Sequence, residues 1–379
     1  MSPSSALAGP GPAAASPPAA PPAVEVSGLR KSYKTAGKTV TAVDGIDLTV
    51  ADGEVFGLLG PNGAGKTTTL RILTTLLPAD AGSASVAGAD VRRDPALVRR
   101  RIGYVGQLGG ADGSATGREN LLLAGRLYGL SAAAARRRCA ELAEILDLGP
   151  LIGRAVRTYS GGQRRRLEVA LGIMHRPRVL FLDEPTTGLD PQNRANLWGQ
   201  LGQLRETGTT IIVTTHYLDE ADQWSDRVAI VDHGRVIALG RPDELKRRYS
   251  SDTISVTPDV AGDDLPALAR ELAAATAAAV DGAAVDGAAV DGVAVENGAV
   301  RLTVTDTTQA MAAAFGVLAA RGVSARAVSV ARPSLDDVFL RETGRSLRDA
   351  GQEPGQEPGQ EAGGDAGTAA GHDAGEAAA

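Results

Sequence analysis

Gly60-Pro61-Asn62-Gly63-Ala64-Gly65-Lys66-Thr67 fits the pattern G-x-x-x-x-G-K-[ST], a loop that wraps the phosphates of a nucleotide. The residue types answer a chemical need. Glycines let the backbone turn tightly and aim successive N–H groups at phosphate oxygens. The Lys66 ammonium adds positive charge near the β- and γ-phosphates, and the Thr67 hydroxyl can ligate Mg²⁺. A ligand-free glycine turn would explain the motif alone, but not its flanks. Glu54 to Leu59 reads as a strand entering the loop. Thr67 to Leu77 reads as a helix leaving it, whose N-terminal dipole favours a bound anion.

A second cluster lies at Val179-Leu180-Phe181-Leu182, a continuous apolar run suited to a parallel strand buried on both faces. It ends in Asp183-Glu184. Open α/β sheets place their ligand sites at such strand ends. Because successive strand side chains point to opposite faces, one carboxylate is expected to address Mg²⁺ and the other the attacking water.

The third element is Tyr159-Ser160-Gly161-Gly162-Gln163. Leu167, Ala170, Leu171 and Met174 follow at i, i+3, i+4 and i+7, so a helix starts here. Ser160 is its expected N-cap, and Pro177 marks its end. A Ser-Gly-Gly helix start is an anion site separate from the phosphate loop.

With these three elements in this order, the stretch from about Val24 to about Tyr249 resembles the ATP-binding subunits of ABC transporters. The resemblance implies a P-loop α/β fold with a mixed sheet and an inserted helical subdomain. It also implies ATP and Mg²⁺ as ligands, a homodimer, and a separately encoded membrane permease as partner. Tyr33 matches the aromatic that stacks on adenine. Gly60, Pro61, Asn62, Gly63, Ala64, Gly65, Lys66, Thr67 and Thr68 match Walker A. Gln107 matches the Q-loop glutamine, which reaches the metal or water and senses the permease. Ser160, Gly161, Gly162 and Gln163 match the signature, which contacts the γ-phosphate held by the opposite subunit. Asp183 matches the Walker B aspartate and Glu184 the catalytic glutamate. Asp190 closes the D-loop Gly188-Leu189-Asp190, and His216, after the apolar run Ile211-Ile212-Val213, matches the switch histidine. Gly106 departs from the pattern, since many relatives carry proline there, and is expected to loosen the Q-loop.

Composition is consistent with a cytosolic enzyme, and the resemblance implies a place on the cytoplasmic side of the membrane, peripheral to it. Cys139 is the only cysteine, so there is no disulfide framework. No run of about eighteen apolar residues is present. The formal charge of −6 is concentrated at the end: Asp349 to Ala379 holds seven acids and no Lys or Arg. Taking those seven from the 45 acids leaves 38 against 39 basic residues, so the remainder is near neutral and offers no electrostatic case for nucleic acid. Arg99-Arg100-Arg101, Arg136-Arg137-Arg138 and Arg164-Arg165-Arg166 are expected on solvated helix faces or in local ion pairs.

The chain divides into four regions. Residues 1–22, rich in Ala, Pro and Ser, read as a disordered arm. Residues 23–249 carry the ATPase motifs, with a helical subdomain over about 117–165. Ile46, Leu48 and Val50 alternate with Asp47 and Thr49 as in a half-buried strand, expected to begin the same mixed sheet as the strand ending at Leu59. Residues 250–344 suggest a small α+β domain of order β-α-β-β-α-β, with Asn297-Gly298 as a hairpin turn. Inside it Ala-Ala-Val-Asp-Gly occurs three times over 278–292. One acid per five residues does not match known calcium repeats, so this reads as an expanded surface loop. Residues 345–379 form an acidic, low-complexity tail, expected to be disordered.

Thr214-Thr215-His216-Tyr217-Leu218-Asp219-Glu220-Ala221-Asp222 and Pro333-Ser334-Leu335-Asp336-Asp337-Val338-Phe339-Leu340 resemble the daunorubicin/doxorubicin-resistance branch. That branch implies export of a drug or other hydrophobic compound. Two other classes fit less well. Repair ATPases insert a long coiled coil between phosphate loop and signature, and translation ATPases carry two motif sets. A module that holds ATP without turnover would commonly lack Glu184 or His216. The apolar face of Pro333 to Leu340 is expected to pack at a subunit interface or on the ATPase core.

Overall fold

The computed structural model describes residues 21–345, apart from 36, 250–251, 261–263, 281–292, 297, 305 and 332. Most of the expected N-terminal arm, most of the Ala-Ala-Val-Asp-Gly repeat and the acidic tail lie outside the described residues.

β1 (Val24–Thr35) and β2 (Lys38–Val50) form a long antiparallel hairpin. β2 buries Ile46, Leu48 and Val50 and exposes Asp47 and Thr49. β3 (Val55–Leu59) buries all five residues. The expectation that β2 and β3 share a sheet is not met. β2 and β1 join β4 (Ala81–Val86) and β5 (Ala89–Asp90) in an antiparallel sheet of order β2-β1-β4-β5. The burial patterns explain the separation. A strand apolar on one face suits an outer sheet that meets water, whereas a strand apolar on both belongs between two layers.

β3 is central in a six-stranded sheet with β6 (Ile102–Val105), β7 (Val179–Asp183), β8 (Thr210–Thr215), β9 (Arg227–Asp232) and β10 (Arg235–Gly240), in the order β10-β9-β3-β8-β7-β6. All pairs are parallel except β9–β10, so the sheet is mixed. Its register decides the chemistry: Leu59 is paired with Thr215, and Asp183 with Thr214. The ends of β3, β7 and β8 therefore lie side by side, and the three segments that leave them start from one edge.

α1 (Lys66–Leu73) packs between the two sheets, with Leu70, Ile72 and Leu73 buried among Phe56, Leu58, Phe181, Ile46 and Leu48. It is shorter than the expected helix to Leu77. Thr75, at φ 62°, turns the chain into the left-handed region. Leu76 N–H bonds to Arg71 O at 2.8 Å and Thr75 N–H to Ile72 O at 3.0 Å, the two bonds of a Schellman stop. Glycine usually marks that stop; a threonine there is not legible as one.

α2 (Pro95–Arg101) leads into β6. α3 (Gly117–Leu127), α4 (Ala132–Ile145) and α5 (Gly161–Gly172) supply the helical insertion. Leu121, Leu142, Leu167 and Met174 pack with Leu180, Leu182, Ile211 and Val213 on the other face of the six-stranded sheet. α6 (Pro191–Glu206) closes that core through Leu197, Trp198 and Leu201, and α7 (Leu218–Trp224) and α8 (Pro242–Tyr249) follow.

β11 (Asp252–Pro258), α9 (Leu265–Val280), β12 (Val293–Glu296), β13 (Ala299–Val304), α10 (Thr307–Ala320) and β14 (Ala325–Ala331) make the second unit. The sheet runs β12-β13-β11-β14, antiparallel throughout. The expected β-α-β-β-α-β order is thus present. Ile254, Val256, Val300, Leu302 and Val304 meet Leu268, Leu272, Ala314 and Leu318 of the two helices. α11 (Leu335–Thr343) starts with a capping box between Ser334 and Asp337 and stops at left-handed Gly344. It returns to the ATPase core rather than to its own sheet: Leu335, Val338 and Phe339 pack with Leu59, Ala221, Val228, Ile230 and Leu245.

Candidate functional site

The loop from Gly60 to Thr67 connects β3 to α1, and close packing explains its glycines. A β-carbon at Gly60 would lie 2.2 Å from Val231 O. Gly65 has φ 103°, and a β-carbon there would lie 2.2 Å from Ala42 O. Ala64 O accepts from Gly234 N–H at 2.9 Å, so the β9–β10 turn supports the loop from behind. Asn62 and Gly63 are exposed, while Pro61 and Ala64 are buried. Lys66 is buried, and its Nζ donates to Gly60 O at 2.7 Å and Pro61 O at 3.0 Å. Burial pushes its ammonium below the usual lysine value, against the opposing pull of Glu184 and Asp183. Thr67 and Thr68 stand half-buried in the first turn of α1.

Asp183, at the end of β7, is 1% exposed. Its Oδ1 accepts from Thr67 Oγ1 at 3.0 Å and from Thr214 Oγ1 at 2.7 Å. Glu184 is where the strand geometry expected from the sequence fails. The strand stops at Asp183, and Glu184 turns to φ 45°, a left-handed conformation that a non-glycine residue keeps only when its surroundings impose it. Thr214 Oγ1 accepts from the Glu184 N–H at 2.9 Å, so one hydroxyl serves both acids. The two carboxylates diverge because of this turn, not through strand alternation.

Glu184 Oε1 lies 3.7 Å from Lys66 Nζ, and its Oε2 lies 3.4 Å from His216 Nδ1 and 3.3 Å from the donating Thr187 Oγ1. The His216 ring first, and then the Lys66 charge, hold the Glu184 carboxyl below the usual carboxylate range, against the opposing effect of burial. His216 follows β8, its ring against Tyr217 at 4.2 Å, and the Arg194 guanidinium covers Tyr217 at 4.3 Å. The structure thus brings Lys66, Thr67, Asp183, Glu184 and His216 together at the aligned strand ends.

Other expected site residues lie further out. Gln107 is exposed in the turn after β6. Tyr33 stands on β1 in the outer sheet, 36% exposed, with the Lys31 ammonium 6.0 Å from its ring centre. Ser160 caps α5: its hydroxyl accepts from Gln163 N–H at 3.3 Å, while Gln163 Oε1 accepts from Ser160 N–H at 3.0 Å. Ser160 and Gly161 are exposed and Gly162 is buried. A β-carbon at Gly162 would come within 2.6 Å of the Asn193 side chain. Asn193 N–H in turn donates to Asp190 Oδ1 at 2.9 Å, so the signature turn and the D-loop are neighbours.

Two residues were missed. Arg165, expected on a solvated helix face or in a local ion pair, does pair with Glu168 at 3.1 Å, but it is 7% exposed and also bonded to backbone carbonyls around the site. Its acceptors carry no side-chain signature, so no spacing rule could reveal them. Glu220 is buried and accepts from Thr186 Oγ1 at 2.8 Å and Thr215 Oγ1 at 3.1 Å. The carbonyl of Gly106, in the Q-loop, accepts from Arg165 Nη1 at 2.7 Å.

The oxygens of Asp183 and Thr67, 3.0 Å apart, are hard donors of the kind that suit Mg²⁺. A phosphate loop at a helix start, two acids, a lysine and a histidine at one sheet edge define a nucleotide triphosphatase.

Comparison with known proteins narrows the class. A family profile described as ABC transporter matches residues 43–187, and one described as ATP-binding protein DrrA1-3-like, C-terminal domain, matches 240–343. The daunorubicin resistance ATP-binding protein DrrA3 of Streptomyces coeruleorubidus is 45% identical over 86% of this chain and 97% of its own length. The daunorubicin/doxorubicin resistance ATP-binding protein DrrA of Streptomyces peucetius is 44% identical, covering 87% and 95%. The linearmycin resistance ATP-binding protein LnrL of Bacillus subtilis is 35% identical, covering 86% and 100%. Among solved structures, an ATP-binding subunit of an ABC transporter matches at TM-score 0.54 and 29% identity, covering 60% of this chain and 92% of that one. A dimeric ATP-binding cassette bound to ADP and Pi matches at TM-score 0.54 and 25% identity, covering 57% and 98%. The chain belongs to the ATP-binding proteins of ABC transporters, and its activity is ATP hydrolysis. Among them it resembles the daunorubicin/doxorubicin-resistance ATP-binding proteins over nearly its whole length.

Proposed function

We propose that this chain powers export of a drug or other hydrophobic compound through a separately encoded membrane permease, as a homodimer on the cytoplasmic face of the membrane. The observation that carries the chemistry is the alignment of Leu59, Asp183 and Thr215 at one sheet edge. It delivers the phosphate loop, both acids and His216 to one place. The names of the drug-resistance relatives support the direction of transport. Among the described residues no helix is long and apolar enough to cross a membrane, so a permease must supply the path.

Lys66 and the backbone N–H groups of residues 60–68 hold the phosphates, and Tyr33 stacks on adenine. Thr67, Asp183 and Gln107 would hold Mg²⁺, which when bound would neutralise charge on the phosphate oxygens. Glu184 orients the attacking water and takes its proton as the γ-phosphoryl group departs. Its lowered carboxyl pKa keeps it ionised through neutral pH. His216 fixes the Glu184 side chain from the far side. Ser160, Gly161, Gly162, Gln163 and Asp190 face the second copy and close the nucleotide it holds. α3 presents Leu123 and Leu127 to solvent one turn apart, and Leu108, beside Gln107, is 96% exposed. That apolar surface suits a permease helix.

The test separates binding from turnover. Lys66→Ala is expected to abolish both ATP binding and hydrolysis with the fold intact. Glu184→Gln is expected to bind ATP normally, lose at least about a hundredfold in kcat, and accumulate as an ATP-bound dimer on gel filtration. Normal turnover by either variant overturns the site assignment. Co-expression and co-purification with a candidate permease, and stimulation of ATPase by a hydrophobic cargo, test the transport role. A permease that neither binds this chain nor raises its turnover would overturn it.

A further inference from the structure

We infer that Arg165 is a positioning residue that fixes the backbone on both sides of Glu184 and ties it to the Q-loop. The inference rests on the role proposed above for Glu184. Arg165 sits in the helix that Ser160 caps, with its side chain 8% exposed. Its guanidinium donates through Nη2 to Asp183 O at 3.0 Å and through Nε to Pro185 O at 2.8 Å. These carbonyls belong to the residues immediately before and after Glu184. Nη1 donates to Gly106 O at 2.7 Å, directly before Gln107, and to Glu168 Oε2 at 3.1 Å.

Three features make this more than a packing contact. First, the acceptors are carbonyls at the ends of two strands, β6 and β7, so one rigid fork joins the segments that leave them. Second, Glu184 is left-handed. A strained residue persists only when its neighbours over-determine it. Arg165 holds the flanking carbonyls while Thr214 holds the Glu184 N–H. Third, Glu168, the partner of Arg165, lies against the Q-loop, where a β-carbon at Gly109 would come within 1.9 Å of its Oε1. A shift of the Q-loop or of α5 is therefore felt first by this fork. The same fork sets where the Glu184 carboxylate stands, and a misplacement of about 1 Å is enough to cost about a hundredfold in rate.

Lysine cannot replace this arrangement. Its ammonium offers donors from a single point, whereas the planar guanidinium reaches three carbonyls in different directions. Arg165→Lys keeps the buried charge near Glu168, which also retains Arg164 Nε at 3.2 Å. The experiment uses the full chain and follows fluorescent ATP binding, steady-state ATPase and single-turnover hydrolysis. Arg165→Lys is expected to lower kcat by at least about tenfold while the KM for ATP stays within about twofold. In the Glu184→Gln background it is expected to change the residual single-turnover rate by less than about twofold, because the residue it positions is already disabled. A general loss of structure would lower both backgrounds alike. Glu168→Gln is the second probe: it frees the guanidinium to shift and is expected to give the same kcat-selective loss, absent with Glu184→Gln. Wild-type kcat in either single variant, or equal fold-losses in both backgrounds, overturns the inference. Full turnover by Glu184→Gln alone overturns instead the assignment of Glu184.

Discussion

Phe339→Ala tests whether α11 is part of the ATPase core. Phe339 is fully buried, with Leu335 and Val338 beside it, against Leu59, Ile230 and Leu245. Truncating a buried phenylalanine removes its transfer free energy and leaves a cavity, a loss of about 3–5 kcal/mol. The site can relax only in part. Leu59 and Ile230 belong to β3 and β9, whose pairing with neighbouring strands fixes them. On the other side, α11 is held by the Ser334–Asp337 capping box and by Arg345, whose Nη2 lies 3.2 Å from Asp232 Oδ1. With an m-value of about 2–3 kcal/mol/M in urea, the midpoint should fall by about 1–2 M. The fluorescence of Trp198 and Trp224, stacked at 5.7 Å against the ATPase core, reports the transition. The choice of probe matters, because a helix that belonged only to the second unit would melt without disturbing those tryptophans. A tryptophan-detected midpoint unchanged within about 0.3 M, corresponding to under about 1 kcal/mol, would refute the docking of α11 onto the core.

Two further outcomes are expected. Ser160→Arg removes a capping box, costing about 0.5–2 kcal/mol, and places a cation where a phosphate is proposed to sit. ATP binding by the single subunit should survive while hydrolysis is lost, and full ATPase activity would exclude a composite site. His175 stacks on Tyr128 at 3.7 Å and bonds Ile102 O at 2.8 Å, and burial chiefly lowers its pKa, with Arg138 adding to the effect. The unfolded chain then takes up this proton at a higher pH than the folded one. Stability should accordingly decline as pH drops below the ordinary histidine value of about 6.5 and until the lower folded value is passed. A Tm-against-pH series should show a shallower acid decline for His175→Gln than for the unaltered chain; equal slopes would contradict this.

Local sequence determined the parts of this protein that depend on neighbours in the chain. Gly60 to Thr67, with the strand before it and the helix after it, announces a phosphate loop from contiguous residues alone. The Ser160–Gln163 capping box forms within four consecutive residues, and the apolar run Val179 to Leu182 declares a strand buried on both faces. Tertiary structure alone decided what depends on distant partners. β2 pairs with the adjacent β1, whereas β3 parted into another sheet because its register answers to β8 and β9, far along the chain. The Glu184 backbone left the strand geometry under the hold of Thr214 and Arg165, which lie 30 and 18 or more residues away. The run Arg164-Arg165-Arg166 is consistent with solvated faces or local ion pairs, and only the fold gathers the carbonyls of Gly106, Asp183 and Pro185 around Arg165. Backbone carbonyls are the same at every residue, so a hydrogen bond to them leaves no trace in the sequence.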